Sequence, residues 1–191
     1  PSPPPSSPPP PSPTSTLHPD TYFRAVVKRC LCSEAYSAPL LITVNPVSVG
    51  GTVSSAQTIC AGTAPADLTL SNQVGNVVKW QKSTDVNFTT FSDINATSTT
   101  LTTATIGNLT ADTYFRAVVK SGLCAEAYSA PLLITVNPVS VGGTVSSAQT
   151  ICAGTAPADL TLSNQVGNVV KWQKSTDVNF TTLSDINATS T

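Results

Sequence analysis

The sequence contains few of the side chains that catalyse reactions or attract charged partners. Its 191 residues include one histidine, His18, no methionine and only 10% charged residues, with a net charge of −1. So little charge of either sign provides no electrostatic field to attract nucleic acid or an anionic membrane. No apolar run approaches the roughly 18 residues needed to cross a bilayer. These shortages predict no nucleic-acid partner and no membrane span.

The residue types needed for enzymatic chemistry are also sparse. Ser-His-Asp and Cys-His mechanisms require a histidine base, whereas His18 lies in a spacer-like stretch beside Pro19. The acidic residues are spread over separate segments and lack the spacing of a calcium loop. Their spacing leaves a two-carboxylate glycosidase open, but nothing in the sequence supports one. We expect no enzyme, and no catalytic residue, cofactor or metal site.

The chain repeats itself with a period of 92 residues. Residues 20–99 align with residues 112–191, and four positions differ: Arg29/Ser121, Cys30/Gly122, Ser33/Ala125 and Phe91/Leu183. Self-similarity at a fixed period indicates a tandem array. The predicted organisation is a Pro/Ser-rich segment at 1–19, the C-terminal half of a repeat at 20–45 (the first half-repeat), a complete repeat at 46–137, and the N-terminal part of a further repeat at 138–191 (the second half-repeat).

The complete repeat has the pattern of strands and turns. Apolar and polar residues alternate, and Gly, Pro and Asn separate the alternating segments. The predicted strands are 47–54, 66–71, 77–82, 90–94, 99–106, 113–120 and 128–137. Seven short strands at this spacing predict an all-β, immunoglobulin-like sandwich. Alternation predicts that Val78 and Trp80 point inward and that Gln81 points to water.

The five cysteines follow the repeat. Cys60 precedes the second predicted strand and Cys124 follows the sixth, so they form the obvious pair within the repeat. A disulfide closing such a loop contributes roughly 4 kcal/mol in the entropic model, and a small core favours such a brace. Cys32 corresponds to Cys124 and Cys152 to Cys60, so we expect these two to bond between neighbouring repeats or chains. Cys30 replaces a glycine, and two nearby thiols alone do not make a zinc site.

Four segments of the repeat carry a resemblance to a known family. VSVGGTVSSAQTICAGTAPADLTLS, VVKWQKSTD, SDINATSTTLT and TYFRAVVKSGLC resemble the tandem immunoglobulin-like repeats of giant secreted surface proteins of Bacteroidota, including gliding-motility adhesins. The resemblance spans the whole 92-residue unit. It implies an extracellular or cell-surface location, a role as a stalk or adhesin, and a bridge between Cys60 and Cys124.

The N-terminal segment has a different composition. Residues 1–19 contain ten of the sixteen prolines, which favours polyproline II and a semi-rigid spacer. Its Ser-Pro-Pro-Pro pattern resembles hydroxyproline-rich glycoproteins of algal and plant walls, and an undecorated linker is the other interpretation. The candidate glycosylation sites of the whole chain are the sequons at Asn87, Asn95, Asn108, Asn179 and Asn187 and the hydroxyls of Ser2, Ser6, Ser7 and Ser12.

Two functions remain open from the sequence. The first is a structural repeat of an extracellular fibre or adhesin stalk on a bacterial cell surface. The second is a carbohydrate- or protein-binding module that uses loop aromatics such as Phe88 and Phe91. The half-repeats expose strand edges, so we expect either a longer repeat array or a filament in which residues 20–45 of one copy complete residues 138–191 of another. The filament predicts an intermolecular Cys32–Cys152 bond.

Overall fold

The structure is a computed structural model that describes residues 19–190. His18 and the candidate O-glycosylation sites Ser2, Ser6, Ser7 and Ser12 lie outside the described residues. Nearly all regular structure in the described part is strand, which confirms the all-β prediction.

The strands are short in the half-repeats and longer in the complete repeat. The first half-repeat contains β1 (Thr21–Phe23), β2 (Val26–Val27), β3 (Ala35–Tyr36) and β4 (Leu40–Ile42). The complete repeat contains β5 (Thr52–Ser54), β6 (Gln57–Cys60), β7 (Leu68–Ser71), β8 (Asn76–Ser83), β9 (Ser92–Ile94), β10 (Thr100–Leu101), α1 (Thr103–Ile106), β11 (Thr113–Lys120), β12 (Ala127–Tyr128) and β13 (Leu132–Asn137). The second half-repeat contains β14 (Thr144–Ser146), β15 (Thr161–Ser163), β16 (Trp172–Ser175) and β17 (Leu183–Ile186).

Two sheets form the complete repeat. The smaller sheet has the order β10-β7-β5, and the larger has the order β6-β13-β11-β8-β9, with β12 also paired to β11. All pairings in these sheets are antiparallel except that of β6 with β13. β12 and β13 pair with different parts of β11, and Pro131, which has no N–H to donate, lies between them.

A single apolar core joins the two sheets. Leu68 and Leu70 of the smaller sheet pack in one cluster with Trp80, Phe115 and other apolar residues of the larger sheet. The indole Nε1 of Trp80 donates to the carbonyl of Ser98 at 3.0 Å, so the largest core side chain leaves no buried donor unpaired. The alternation of Leu68 with Leu70 and of Phe115 with Ala117 predicts these inward faces correctly.

Several details differ from the sequence-based prediction. A bulge in the β8–β11 pairing skips Val78, so Val77 is buried and Val78 is exposed. The predicted strand at 99–106 ends at Leu101 and is followed by α1, whose first residue, Thr103, donates its backbone N–H to Asp67 Oδ1 at 2.7 Å. Strand β6 was not predicted, because QTIC is too short to show a clear alternation.

Identical sequences are buried in the complete repeat and exposed in the half-repeats. Leu68 is fully buried, whereas Leu160, one period later, is 47% exposed. Phe115 is fully buried, whereas Phe23, one period earlier, is 40% exposed. The difference arises because each half-repeat lacks the strands that cover its apolar face. Burial here depends on which strands are present and not on local sequence.

Trp80 and Trp172 allow a direct test of this dependence. Both indoles donate to an equivalent serine carbonyl at 3.0 Å, but only Trp80 is fully buried. We expect Trp80→Ala to lower the free energy of unfolding of the complete repeat by about 3–5 kcal/mol. Trp172→Ala should leave that transition unchanged in urea titrations followed by far-UV circular dichroism. Equal effects of the two substitutions would contradict the assignment of the core to residues 46–137.

Candidate functional site

An arginine–aromatic cluster lies on the outer face of the larger sheet. The Cζ atom of Arg116 is 4.1 Å from the ring centroid of Phe88, 5.7 Å from that of Phe91 and 4.4 Å from that of Tyr128. Arg116 Nε also donates to Gln81 Oε1 at 2.8 Å. Phe88 is buried, while Phe91 and Tyr128 are each about half exposed. The guanidinium therefore occupies a place between aromatic rings that favours a cation.

A hydrogen-bonded row of polar groups continues from this cluster. Asp93 Oδ1 accepts from Gln81 Nε2 at 2.8 Å, and Asp93 Oδ2 accepts from Lys79 Nζ at 2.7 Å. The hydrogen bond from Lys79 to Asp93 raises the pKa of Lys79 and lowers the pKa of Asp93. Gln81, predicted to face water, is buried on the outer face because Arg116 and Asp93 hold both ends of its amide.

Phe88 and Phe91 can be identified as site candidates from the sequence, whereas Arg116, Gln81 and Tyr128 cannot. These residues are far apart in the chain and come together only through strand register, in which Arg116 lies opposite Gln81. The feature that identifies Gln81 and Arg116 as neighbours is their outward position on two paired strands. It becomes usable only once the pairing of β8 with β11 is known.

A turn stabilised by one carboxylate supplies Phe88. Asp85 Oδ1 accepts from Asn87 N at 3.0 Å, and Asp85 Oδ2 accepts from both the N–H and the hydroxyl of Thr89. Phe88 adopts a positive φ of 53°, a conformation that the surrounding hydrogen bonds must impose on a bulky residue. The segment connects β8 to β9 and lies between the predicted strands at 77–82 and 90–94.

A shallow depression of about 410 Å³ opens beside Phe91. It lies between residues 82–84, residues 90–92 and the loop at 108–111. Threonine, serine and asparagine side chains line most of it, with Phe91 as the exposed aromatic ring. This is the place where the structure brings the predicted loop aromatic next to polar groups.

The structure contradicts the predicted Cys60–Cys124 bridge. All five cysteines, which lie in the described part of the chain, are unbridged. Cys60 pairs with Asn137 beyond the Thr113 end of β11, whereas Cys124 follows its Lys120 end. The eight residues of β11 span about 27 Å, and a disulfide requires α-carbons within about 7 Å. The order of cysteines along the chain did not reveal that they lie at opposite ends of one strand.

The predicted Cys32–Cys152 bond loses its basis for the same reason. It was expected to reproduce the Cys60–Cys124 bridge in a repeat completed by two chains. Because the equivalent positions in the complete repeat lie at opposite ends of the larger sheet, completing the half-repeats does not bring Cys32 and Cys152 together.

An asparagine borders each end of the complete repeat, and a cysteine-bearing segment contacts each of them. At the start, Cys124 Sγ lies 3.7 Å from the carbonyl oxygen of Asn45 and 3.4 Å from that of Pro46. A Cβ atom on Gly122 would lie 2.4 Å from the side-chain amide of Asn45, so the segment that contains Cys124 packs closely against this asparagine. At the other end, Cys60 pairs with Asn137, whose carbonyl oxygen accepts from the N–H that follows Cys60, at 2.8 Å.

The five sequon asparagines are all exposed. They are Asn87, Asn95, Asn108, Asn179 and Asn187. Among residues 19–190, no group of three or more His, Cys, Asp or Glu side chains is placed to hold a metal ion. In that same range no helix has the length and apolar character required to span a membrane.

One family of domains matches most of the sequence. Its description is Domain of unknown function (DUF8696), and the match covers residues 49–138 and 141–191. No curated protein and no solved structure matches the chain.

The Asp85 turn predicts a pH-dependent stability. Hydrogen bonds from the Thr89 hydroxyl and from the N–H groups of Asn87 and Thr89 lower the pKa of Asp85 below 3.8. A lowered carboxyl pKa stabilises the fold above the unfolded-state value, and this contribution is lost as the pH falls through the folded-state value. We expect Asp85→Asn to lower the urea midpoint at pH 7. The difference from the unsubstituted chain should shrink as the pH falls below the ordinary carboxyl pKa and disappear below the lowered folded-state pKa of Asp85.

The matched control is Asp177→Asn. Asp177 makes the same hydrogen bonds in the second half-repeat, where the neighbouring Phe180 is exposed. This substitution should leave the unfolding of the complete repeat unchanged at every pH. A pH-independent loss of stability in Asp85→Asn would show that the carboxylate charge is not responsible.

Proposed function

The chain belongs to this family of domains of unknown function, DUF8696, and we propose that its repeats are structural modules of an extracellular fibre or adhesin stalk on a bacterial cell surface. The role is mechanical and not catalytic. The resemblance of the 92-residue unit to Bacteroidota surface-protein repeats supports the location. The two-sheet core of residues 46–137 supports an immunoglobulin-like module, in which β6 and β13 form a parallel pair beside antiparallel neighbours.

The positions of the two ends of the complete repeat carry this proposal. Ser48, near the start, accepts a hydrogen bond from Ser121 N at 2.9 Å, just beyond the C-terminal end of β11. Asn137, the last residue of β13, lies beyond the N-terminal end of β11. The chain therefore enters at one end of the larger sheet and leaves at the other. Units connected in this way add length, which is what a spacer requires.

The apolar faces of the half-repeats favour completion by further copies of the same sequence. Arg24 lies over Tyr36 at 4.2 Å, as Arg116 lies over Tyr128, but the first half-repeat has no counterpart of Phe88. The second half-repeat has that counterpart, Phe180, and it is 46% exposed. Each half-repeat thus carries the part of the arginine–aromatic cluster that the other lacks. The completing strands come either from a longer repeat array or from a second copy of the chain.

A ligand-binding module is the second candidate function. The depression beside Phe91 and the half-exposed rings of Phe91 and Tyr128 favour a carbohydrate or protein ligand. Leu183 replaces Phe91 in the following repeat, so successive repeats do not present the same ring. Glycan binding that is lost in Phe91→Ala would favour this function over the structural one.

The structural proposal predicts a constant increment of length for each repeat. About eleven residue positions along β11 separate the level of Asn137 from that of Ser121, which is about 37 Å at ~3.4 Å per residue. A copy of residues 100–137 added after Thr191 completes the second repeat, and copies of residues 46–137 then add further ones. The maximum dimension from small-angle X-ray scattering should grow by about 37 Å for each added repeat. Repeats that fold back on each other, with no growth in length, would contradict a spacer.

Strand complementation between chains predicts concentration-dependent oligomers of the 191-residue protein. A peptide of residues 100–137 supplies every strand that the second half-repeat lacks, so an excess should shorten the oligomers in sedimentation velocity. The same peptide with Phe115→Asp should have no effect, because a charge replaces a fully buried ring. A single monomeric species at all concentrations would leave the longer array as the source of the completing strands.

A further inference from the structure

Each of the two cysteines of the complete repeat lies beside an Asn-Pro joint that connects this repeat to a neighbouring one. The joint residues are Asn45-Pro46 before the repeat and Asn137-Pro138 after it, and they are equivalent under the 92-residue period. Cys124 contacts the joint that precedes its own repeat. Cys60 pairs with the asparagine of the joint that follows its own repeat.

The period places a second cysteine at the joint that Cys60 borders. In a following complete repeat, the residue equivalent to Cys124 would contact Asn137 and Pro138 as Cys124 contacts Asn45 and Pro46. The carbonyl oxygen of Asn137 has Ala61 N at 2.8 Å, and the equivalent oxygen of Asn45 has a cysteine Sγ at 3.7 Å. The segment that contains Cys60 and the Cys124-equivalent of the next repeat would therefore both contact the carbonyl oxygen of Asn137.

We infer that a disulfide joins Cys60 of one repeat to the Cys124-equivalent of the next, across the Asn-Pro joint. The α-carbon of Cys60 lies about 4.8 Å from that of its strand neighbour Asn137. A bridge requires about 4.4–6.8 Å between its own α-carbons. The carbonyl oxygen of Asn137 points toward β6, because it accepts from Ala61 N, so a cysteine sulfur beside that oxygen lies on the Cys60 side of the asparagine. Cys60 is exposed, so its thiol is open to this partner and to an oxidant.

The bond forms by ordinary thiol–disulfide exchange with a small-molecule disulfide such as oxidised glutathione. The thiolate of one cysteine attacks the disulfide and releases one glutathione thiol, which leaves a mixed disulfide on the protein. The second cysteine loses its proton and attacks the protein sulfur, which releases the second glutathione. Two protein thiols are oxidised, and one disulfide is reduced to two thiols.

The inferred bond gives Cys60 and Cys124 partners in neighbouring repeats and not within their own repeat. The partner of Cys60 would lie one period after Cys124, which is beyond residue 191, and the partner of Cys124 one period before Cys60, which is before residue 1. In a head-to-tail filament, the same rule pairs Cys60 with Cys32 of the next chain and Cys152 with Cys124 of the next chain. It goes beyond the proposed function, because a cross-linked joint would serve a ligand-binding array equally well.

The test uses the full chain with a copy of residues 100–137 added after Thr191, oxidised in a glutathione buffer. Trypsin releases the peptide 30–79, which contains Cys30, Cys32 and Cys60, and the peptide 121–171, which contains Cys124 and Cys152. The added copy ends in a separate, shorter peptide with its own cysteine. Mass spectrometry without reduction should find this C-terminal peptide linked to peptide 30–79.

Three serine variants identify the bond. Cys60→Ser should abolish the link between these two peptides, and Cys60→Ala should repeat the result if the serine variant folds poorly by circular dichroism. Cys152→Ser, which changes the same position one repeat later, should leave the link intact, as should Cys124→Ser. If the C-terminal peptide is instead linked to peptide 121–171, and this link disappears in Cys152→Ser, the bridge lies within a repeat and the inference is wrong. A link to 30–79 that survives Cys60→Ser, or no link at all, would also overturn it.

This outcome is separate from that of the structural proposal. Scattering measures whether repeats add length, and peptide mapping measures which sulfurs are joined. Repeats that extend without a cross-link would refute only the inference about the joint, whereas compact repeats with a cross-link would refute only the spacer.

Discussion

The pairing of β8 with β11 is the interaction on which the rest of the repeat depends. These are the two longest strands, and each carries core residues on one face and cluster residues on the other. Trp80 and Ala117 face the smaller sheet, while Gln81 and Arg116 meet on the outer face. Because β8 comes from the first part of the repeat and β11 from the last, neither part buries its apolar face alone. The exposed faces of the half-repeats, which carry the same residues, follow from the absence of this pairing.

Strand alternation made most of the core predictable from sequence. The strand at 113–120 has the bounds expected from its period-two pattern, and its inward residues are fully buried. The prediction failed where a neighbour determines the outcome. A bulge opposite Val118 and Val119 buries Val77 and exposes Val78, and the sequence of β8 alone does not predict this bulge. The helix at Thr103 depends on Asp67, a residue 36 positions earlier in the chain.

The site was less predictable than the core, because its residues are combined by register. Phe88 and Phe91 are recognisable in the sequence as aromatic residues in a loop. The Arg116 guanidinium that contacts them belongs to a strand that begins more than twenty positions later. The cysteines show the same limit. A Cys, Trp, Cys order suggests a disulfide beside the core, yet Cys60 and Cys124 lie beyond opposite ends of β11. Sequence order gives the succession of strands, whereas strand direction decides which ends meet.

The location of the cysteines makes mechanical sense at the joint and not within the core. A pull along an array acts on a repeat through Pro46 and Asn137, at opposite ends of the larger sheet. Asn137 ends β13, which is held by β6 on one side and β11 on the other, so the pull loads these hydrogen bonds in shear. A bridge inside each repeat would protect the core but leave the Asn-Pro joint as the only connection between neighbours. The inferred bond from Cys60 to the next repeat would instead transfer part of the force directly to β6 and restrict bending at the joint. Cysteines at both ends of the repeat, each beside a joint asparagine, fit the second arrangement.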